Sequence, residues 1–377
     1  MQNKTGPIET MVSGGTFDLP TIGHYDMWLE AARSCKNLVI VIANNPDKRP
    51  IFSPRERFEM IMEMVKDIPN AEVHVMNNKY LVRYAREIGA TDVFRGLRDY
   101  RDLMEEQVAS AVNRIIEPSV TTKLFIPDIN KFQISSSMVM SLVGFEGWEK
   151  IVAIFVPPVV LAKLKDWHYT RTHWRDFWNA VDAMDDQAVM WNNISSRYGQ
   201  DHRVFHNLGH ITHCLREFDA ARHLAKDPLA LEMAIWYHDI VYEPRAKDNE
   251  ARSAKFAAAA ARKMGLEDAF GKRVAKLVKA TSHQTIPKNY DARILLDIDL
   301  AILGHPPVVF DRYERGIREE DGFVPEQEYA EKRMQILNPF LKRRHIYSTV
   351  FFQEKYEDAA IANLERSIDK LSEVINR

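Results

Sequence analysis

The chain has 377 residues, of which 46% are hydrophobic and 28% charged, and its formal net charge is −2. This length suits two ordinary globular domains, and a charge near zero gives no general reason to expect nucleic-acid or membrane binding. No apolar run is long enough to cross a bilayer, and the two cysteines, Cys35 and Cys214, give no disulfide framework, so a cytoplasmic location is expected.

The first predicted strand, residues 8–12, leads into the segment SGGTFDLPTIGH and then into a predicted amphipathic helix over residues 25–32. The glycine pair lets the backbone approach an anion closely, and the helix start, capped by Thr21, presents unpaired N–H groups at the positive end of the helix dipole. His24, in the first helical turn, can donate to a phosphoryl oxygen. A plain strand–turn–helix unit has the same pattern, so this segment alone leaves both interpretations open.

Further β-like runs alternate with helical stretches up to Pro157 and Pro158. These runs cover residues 38–42, 72–75, 92–94 and 124–126. Such alternation is typical of a parallel sheet with crossover helices. We therefore predict an α/β, Rossmann-like nucleotide-binding domain over residues 8–166.

Two later segments of this domain also suit phosphate binding. The segment FRGLRDYRDLMEEQ offers Arg95 and Arg98 beside a turn, and two guanidinium groups at that spacing can clamp a polyphosphate. The segment FQISSSMVMSL places Ser135, Ser136 and Ser137 at another predicted helix N-terminus, where donors converge on an anion. Three such features in one domain favour a nucleotide site.

By the order and spacing of these motifs, about the first 165 residues resemble the phosphopantetheine adenylyltransferase family, of the nucleotidyltransferase superfamily with an HxGH-type loop. The resemblance implies transfer of AMP from ATP, bound with Mg²⁺, to a phosphate acceptor such as phosphopantetheine, giving dephospho-CoA and pyrophosphate. It gives catalytic roles to His24, Lys48 and Arg98. It gives nucleotide or substrate contacts to Thr16, Phe17, Arg95, Glu106, Asn113, Ser135, Ser136 and Ser137.

Two departures from the family pattern leave the acceptor open. Leu19 stands where the family usually has proline, which loosens the turn without removing a phosphate donor. Met140 replaces a lysine or arginine that usually follows the serines, so one expected cation near the triphosphate is missing. An adenylyltransferase with a different acceptor therefore stays an alternative.

After Lys165 the β-like runs end and helical periodicity continues to the C-terminus, so we predict an all-α domain over residues 168–377. A helical stripe in its tryptophan-rich first part is expected to be core or domain interface. This stripe consists of Phe177, Val181, Met184 and Ala188.

Histidines follow in the segment HRVFHNLGHITHCL. His206 and His210 are four residues apart, so both imidazoles project from one face of a helix, as metal or phosphate binding would need. His213 lies close to the same face. A single helical histidine is more often a core residue than a ligand, and only the joint occurrence with other ionisable residues favours a site.

Those other residues follow in two apolar stretches. His238 and Asp239 lie at the end of an apolar helix that begins at Leu229. Asp297 and Asp299 lie within the apolar segment LLDIDLAILG, where a charge needs a partner.

In that order, these residues resemble the HD superfamily of metal-dependent phosphohydrolases. The resemblance implies that a first histidine protonates the leaving oxygen while two imidazoles and two carboxylates hold the metal. It gives the proton-donor role to His206 and the metal to His210, His238, Asp239 and Asp299, with Asp297 as the second candidate for the last position.

The expected cofactor of this half is a divalent metal, with Mn, Fe, Mg, Ni and Zn all open. The expected partners of the whole chain are ATP and small phosphate-bearing substrates, without nucleic acid or membrane. Two alternatives remain open for the second half. It acts on the same metabolite as the first half, or it only binds nucleotide or forms a homo-oligomer.

Overall fold

In a computed structural model, the chain divides into two compact units, Met1–His168 and Tyr169–Arg377. The structure describes residues 8–44, 50–97, 100–126, 134–184, 186–282 and 285–376. The first unit is α/β and the second is helical in its described residues, which confirms the predicted fold class.

The first unit is built on a parallel sheet in which β1 lies at the centre. Its strands are β1 (Ile8–Gly15), β2 (Cys35–Asn44), β3 (Ala71–Asn77), β4 (Asp92–Gly96) and β5 (Thr121–Phe125). Its helices are α1 (Ile22–Arg33), α2 (Pro54–Val65), α3 (Leu81–Glu87), α4 (Tyr100–Ile116), α5 (Ser136–Leu142) and α6 (Trp148–Val152), and α7 (Pro158–Ala180) follows. The spatial order is β3-β2-β1-β4-β5, and every neighbouring pair is parallel.

This strand order places a topological switch between β1 and β4. The chain first adds β2 and β3 on one side of β1, and then crosses back to place β4 and β5 on the other side. Crossover helices leave a crevice at the carboxyl ends of the two central strands, which is where open α/β sheets bind ligands. Gly14 and Gly15 end β1 there, and Arg95 and Gly96 end β4.

Both faces of the sheet are covered by apolar side chains. Alternate residues of the central strands, such as Met11 and Val12, face opposite layers, and both are buried. Burial on two faces explains why residues 38–42 of β2 form a continuous apolar run. The outer strand β5 is mostly exposed, so its apolar pattern is weak, and it pairs from Thr121 rather than over the predicted 124–126.

The second unit surrounds one large apolar core. After α7 its helices are α8 (Gln187–Tyr198), α9 (Leu208–Ala221), α10 (Pro228–Tyr237), α11 (Asn249–Lys263), α12 (Asp268–Ala280), α13 (Tyr290–Leu300), α14 (Pro307–Glu320), α15 (Glu326–Leu341) and α16 (Val350–Ile375), with short 3₁₀ segments at Arg222–Leu224 and Ala301–Gly304. Trp174, Trp191 and Trp236 pack against one another in the core.

The predicted tryptophan-region stripe is wrong in its second half. Phe177 is buried, but α7 ends at Ala180 and the chain turns at Asp182, whose φ is +52°. Met184 is therefore 84% exposed, and Ala188 is exposed as well. Within the described residues, no helix is both long and apolar enough to cross a membrane.

Candidate active sites

A cleft of about 580 Å³ lies at the switch point of the first unit. Its lining includes the ends of β1 and β4 and the starts of α1 and α5. Predicted site residues from all three motifs line it, namely Thr16, Phe17, His24, Arg95, Ser135, Ser136 and Ser137. The structure therefore brings together side chains that are up to 121 positions apart, from Thr16 to Ser137.

His24 is fixed at the cleft by the cap of α1. The Thr21 hydroxyl accepts from the His24 backbone N–H at 3.4 Å, and His24 Nδ1 accepts from the Thr21 backbone N–H at 3.0 Å. This is a capping box in which histidine takes the place of the usual Glu or Gln. Because Nδ1 is an acceptor, the neutral ring carries its proton on Nε2. His24 is thus prepared to donate from Nε2.

The glycine pair serves the packing of the loop. A Cβ on Gly14 would overlap the Leu81 side chain, and a Cβ on Gly15 would lie 2.8 Å from the Phe17 ring. Phe17 is buried and meets the His24 ring edge-on at 5.2 Å between centroids. Trp28 stacks on His24 at 5.9 Å and also meets Phe17 edge-on at 5.1 Å. Phe17 therefore lines the cleft and also supports the histidine.

Arg95 is held from two sides. One guanidinium nitrogen donates to the Gly14 carbonyl at 2.6 Å, and Nε donates to Glu106 at 2.7 Å. Glu106 is buried on α4 and is not part of the cleft lining, so its contact is with Arg95. Asn113 is half-buried on the same helix, and it does not line the cleft either. Lys48 and Arg98 lie outside the described residues.

The serine motif starts α5. Ser135 caps the helix by accepting from the Met138 N–H at 3.1 Å, and the Ser136 hydroxyl donates to the Leu19 carbonyl at 2.6 Å. This bond joins two of the predicted motifs. Met140 packs against the apolar core, which accounts for a nonpolar residue at this position.

Sequence reasoning missed two charged residues here, namely Asp18, which lines the cleft, and Arg57, which binds the backbone of the loop. Arg57 has no exposed surface, and it donates to the Thr16 carbonyl at 2.6 Å and to the Phe52 carbonyl at 3.1 Å. Asp18 accepts from the backbone N–H groups of Ile51 and Phe52. Burial lowers the pKa of Arg57 and raises that of Asp18. The signal in the sequence was an arginine amid the apolar positions of α2.

Comparison with known proteins identifies the first unit. Residues 12–141 match the family model described as cytidylyltransferase-like. A phosphopantetheine adenylyltransferase of Neisseria meningitidis is 36% identical over 153 residues, which are 41% of this chain and 90% of the relative. Relatives of the same name from Chromobacterium violaceum and Caldanaerobacter subterraneus are 33% and 36% identical, and the match covers 96% and 92% of their lengths.

The chain belongs to the phosphopantetheine adenylyltransferase family. This membership rests on matches that cover 40% to 42% of the chain. For a phosphopantetheine adenylyltransferase family member, the remaining helical unit is an addition, and its site has to be read from its own geometry.

In the second unit, four predicted metal ligands lie close together. Nε2 of His210 lies 3.1 Å from Nε2 of His238 and 3.2 Å from Oδ1 of Asp299. Nε2 of His238 lies 3.3 Å from Oδ2 of Asp239 and 3.6 Å from Oδ1 of Asp299. The histidine side chains are 1% exposed and the carboxylates 17%, so the cluster opens on its carboxylate side.

This donor set fits a divalent metal. A tetrahedral ion with bonds of about 2.0–2.1 Å places neighbouring ligand atoms about 3.3 Å apart. Four distances in the cluster, 3.1 to 3.6 Å, are close to that value, while His210 Nε2 and Asp239 Oδ2 lie 3.9 Å apart. His238 Nδ1 lies 2.9 Å from the Ile235 carbonyl, so this nitrogen donates and Nε2 is the ligating atom. Burial opposes charge on His238, but Asp239 and Asp299 raise its pKa, as expected where a cation is favoured.

Cys214 is a neighbour of this cluster that sequence reasoning missed. It lies one helical turn after His210, and its Sγ is 3.6 Å from His210 Nε2. His210, Cys214, His238 and Asp299 each offer a ligand atom within 4.8 Å of the others. Burial raises the pKa of the Cys214 thiol well above its ordinary value.

Asp297 is engaged elsewhere. Its carboxylate accepts from the backbone N–H of Ser348 at 2.7 Å and from the N–H and hydroxyl of Thr349 at 2.8 and 2.7 Å. Burial raises its pKa to about 6. Asp297 therefore ties α13 to the start of α16, and Asp299 is the aspartate that faces the two histidines.

His206 does not share a helical face with His210 as predicted, because α9 begins at Leu208 and His206 precedes the helix. Glu320 holds His206 beside the cluster instead. The Nδ1 atom of His206 lies 2.6 Å from Glu320 Oε2, and Tyr242 stacks on the ring at 4.2 Å. Burial opposes ionisation of both groups, but their mutual contact raises the pKa of His206 and lowers that of Glu320 to about 2. Glu320 was not predicted, because nothing local to it indicates a contact with His206.

Proposed function

We propose that the first unit transfers AMP from ATP to a phosphopantetheine-type phosphate acceptor, giving dephospho-CoA and pyrophosphate. The observation that carries the proposal is the cleft at the switch point, where three phosphate-binding motifs share one volume. Named relatives that are 33% to 36% identical support the same activity.

In this proposal the chain acts by positioning and by charge neutralisation. The Nε2–H of His24 donates to the α-phosphate as negative charge grows there. Arg95, oriented by Glu106 and the Gly14 carbonyl, faces the nucleotide phosphates. Lys48 and Arg98 take the remaining cationic roles by family resemblance. Mg²⁺ bound with ATP supplies further neutralisation.

Pyrophosphate release from ATP tests this activity. We expect release with phosphopantetheine, and His24→Ala should lower the rate by about 100-fold or more, as for the loss of one transition-state donor. Nicotinamide mononucleotide serves as the comparison acceptor, because Leu19 and Met140 depart from the family pattern. Release only with nicotinamide mononucleotide would show that the reaction is adenylyl transfer but that the acceptor is not phosphopantetheine. Absence of release with every phosphate acceptor would contradict the proposal.

We further propose that the second unit is an HD-type metal-dependent phosphohydrolase. The close approach of His210, His238, Asp239 and Asp299 supports it. These four residues would hold a divalent metal, which would supply the Lewis acidity that activates water for attack on phosphorus. His206 lies beside the cluster, and with Glu320 on Nδ1 its Nε2–H can protonate the leaving oxygen. The substrate class is a small phosphoester, and the product or acceptor of the first unit is the first candidate.

Phosphatase screening of the full chain tests this second activity. With Mn²⁺ or Mg²⁺ supplied, phosphate release should be lost in His238→Ala and in Asp239→Ala. His24→Ala is the matched control, because it lies in the other unit and should leave phosphate release unchanged. Equal release by all variants would mean that the unit is a binding or oligomerising module instead.

Helix α4 supports a homo-oligomer. Its exposed apolar residues follow one another at spacings of four, four, four and three, which keeps them on one face. They are Tyr100, Met104, Val108, Val112 and Ile115, with exposures of 74%, 43%, 67%, 46% and 83%. We propose that a second copy of the chain covers this apolar face of α4.

A further inference from the structure

Three side chains form another group next to the proposed metal centre. His213, Glu217 and His305 each offer a ligand atom within 4.8 Å of the others. His213 and Glu217 lie four residues apart on α9 and share a face, and His305 follows the 3₁₀ segment Ala301–Gly304. None of the three belongs to the group around His210 and His238.

Hydrogen bonding within the protein satisfies only part of this group. Glu217 Oε1 accepts from the Tyr356 hydroxyl at 2.7 Å and lies 3.7 Å from His305 Nε2. That hydroxyl also lies 3.2 Å from His305 Nε2, and Glu217 Oε2 accepts from Lys355 Nζ at 2.8 Å. His213 differs, because its Nε2 is fully buried and has no hydrogen-bond partner in the described part of the chain. A buried polar atom without a partner destabilises the fold, so this nitrogen calls for a ligand.

The His213 ring, which carries the unpartnered Nε2, packs against the ring of His305. The two ring centroids lie 4.6 Å apart, edge to face. The hydrogen bonds that Tyr356 makes with Glu217 and His305 do not reach His213 Nε2, which stays without a partner in the described part of the chain. A cation between the two rings and the carboxylate would satisfy the His213 nitrogen as well.

We propose that His213, Glu217 and His305 form a second divalent-cation site, for a borderline transition-metal ion of the zinc class. Two imidazoles and one carboxylate are a recurring zinc ligand set, and imidazole suits such ions better than Mg²⁺ or Ca²⁺. Lys355 on the far carboxylate oxygen orients the glutamate, as groups behind a metal ligand commonly do. The ion would tie α9 to the segment after Ala301–Gly304.

Zinc stoichiometry of the full chain tests the proposal. Each variant is dialysed against Zn²⁺ without nucleotide, checked for folding by circular dichroism, and analysed for zinc per chain. We expect two ions in the wild type, one in His305→Asn, one in His238→Asn and none in the double variant. His345→Asn is the control, because His345 is 44% exposed and lies outside both groups, so two ions should remain.

The outcomes separate this site from the proposed phosphohydrolase centre. Equal zinc in the wild type and His305→Asn, with loss in His238→Asn, would overturn the second site and leave the first standing. Two ions in His238→Asn would contradict the first centre instead. If His305→Asn does not fold, His213→Gln provides the same measurement. Zinc should also raise the melting temperature of His238→Asn, and a melting temperature unchanged by zinc would contradict the proposed tie.

Discussion

The imidazole of His206 is positioned by the carboxylate of Glu320, which lies 114 positions later in the chain. Glu320 has no exposed side-chain surface, and its Oε1 accepts from the consecutive backbone N–H groups of Val204, Phe205 and His206 at 2.7 to 2.9 Å. Its Oε2 accepts from His206 Nδ1 and from the Tyr242 hydroxyl. One residue thus fixes both the backbone and the side chain at the edge of the metal cluster.

Glu320→Gln should destabilise the metal-free protein by about 2 kcal/mol, because hydrogen bonds to charged groups are lost in a buried site. The folded pKa of Glu320, about 2, lies below its ordinary 4.5, and that of His206 is raised above 6.5. The His206–Glu320 pair therefore makes its full contribution to the free energy of unfolding between pH 4.5 and 6.5. Its contribution falls as pH drops towards 2 and as pH rises through the raised pKa of His206.

Urea denaturation of wild type and variant across this pH range provides the measurement. Glu319→Gln is the control, since Glu319 is the exposed neighbour of Glu320. A difference in unfolding free energy that does not vary with pH would show that Glu320 acts by packing alone.

At this scale, the sequence singled out the histidines and aspartates that cluster, but not how the chain presents them. A four-residue interval favours one helical face for His206 and His210, and this prediction is wrong, because α9 begins at Leu208 and His206 precedes its N-cap, Asn207. Glu320 stands in the segment IREEDG, which reads as an ordinary solvated helix end. Arg57 likewise appears as one charge in an amphipathic helix. Such contacts depend on which elements meet, and that is decided by packing of the whole unit.

Helix α1 combines a structural and a proposed chemical role in one side chain. His24 occupies the third helical position, where Glu or Gln commonly closes a capping box, and its Nδ1 bonds the Thr21 backbone N–H. The same bond leaves Nε2 with the proton. The helix start therefore sets the tautomer that phosphate binding requires.

His24→Gln should separate these two roles. Glutamine can close the capping box, so the unfolding free energy should stay within about 0.5 kcal/mol of wild type. His24→Ala should lose the cap contact and cost about 1 kcal/mol. Both variants should lose adenylyl transfer by about 100-fold or more, since neither carries an imidazole. Chemical denaturation and pyrophosphate release measure the two effects, and a fully active glutamine variant would show that His24 only caps the helix.

At the scale of elements, the buried strands were predictable and the edge of the sheet was not. β2 is covered on both faces and therefore appears in sequence as an uninterrupted apolar run. β5 is exposed over much of its length, so its limits depend on pairing with β4. The stripe predicted from Phe177 to Ala188 failed because periodicity does not show where α7 stops.

For the whole molecule, the alternation of strands and helices in the first unit and the helical periodicity of the second were enough to predict the fold class of each unit. They were not enough to predict the switch between β1 and β4, which determines where the three phosphate motifs meet. They also gave no sign of the apolar face on α4, because an exposed apolar position looks like a core position in sequence. We expect the apolar face of α4 to act in contacts between copies of the chain.

Replacing Val108 and Ile115 together by glutamate should therefore reduce the mass of the particle to that of one chain. Both side chains are largely exposed, at 67% and 83%, so the fold should tolerate the charges while an apolar contact between copies should not. Val308→Glu is the matched control, because Val308 is also 67% exposed but lies on α14. Size-exclusion chromatography with light scattering measures the mass of each. If the double variant keeps the wild-type mass, helix α4 does not join the copies.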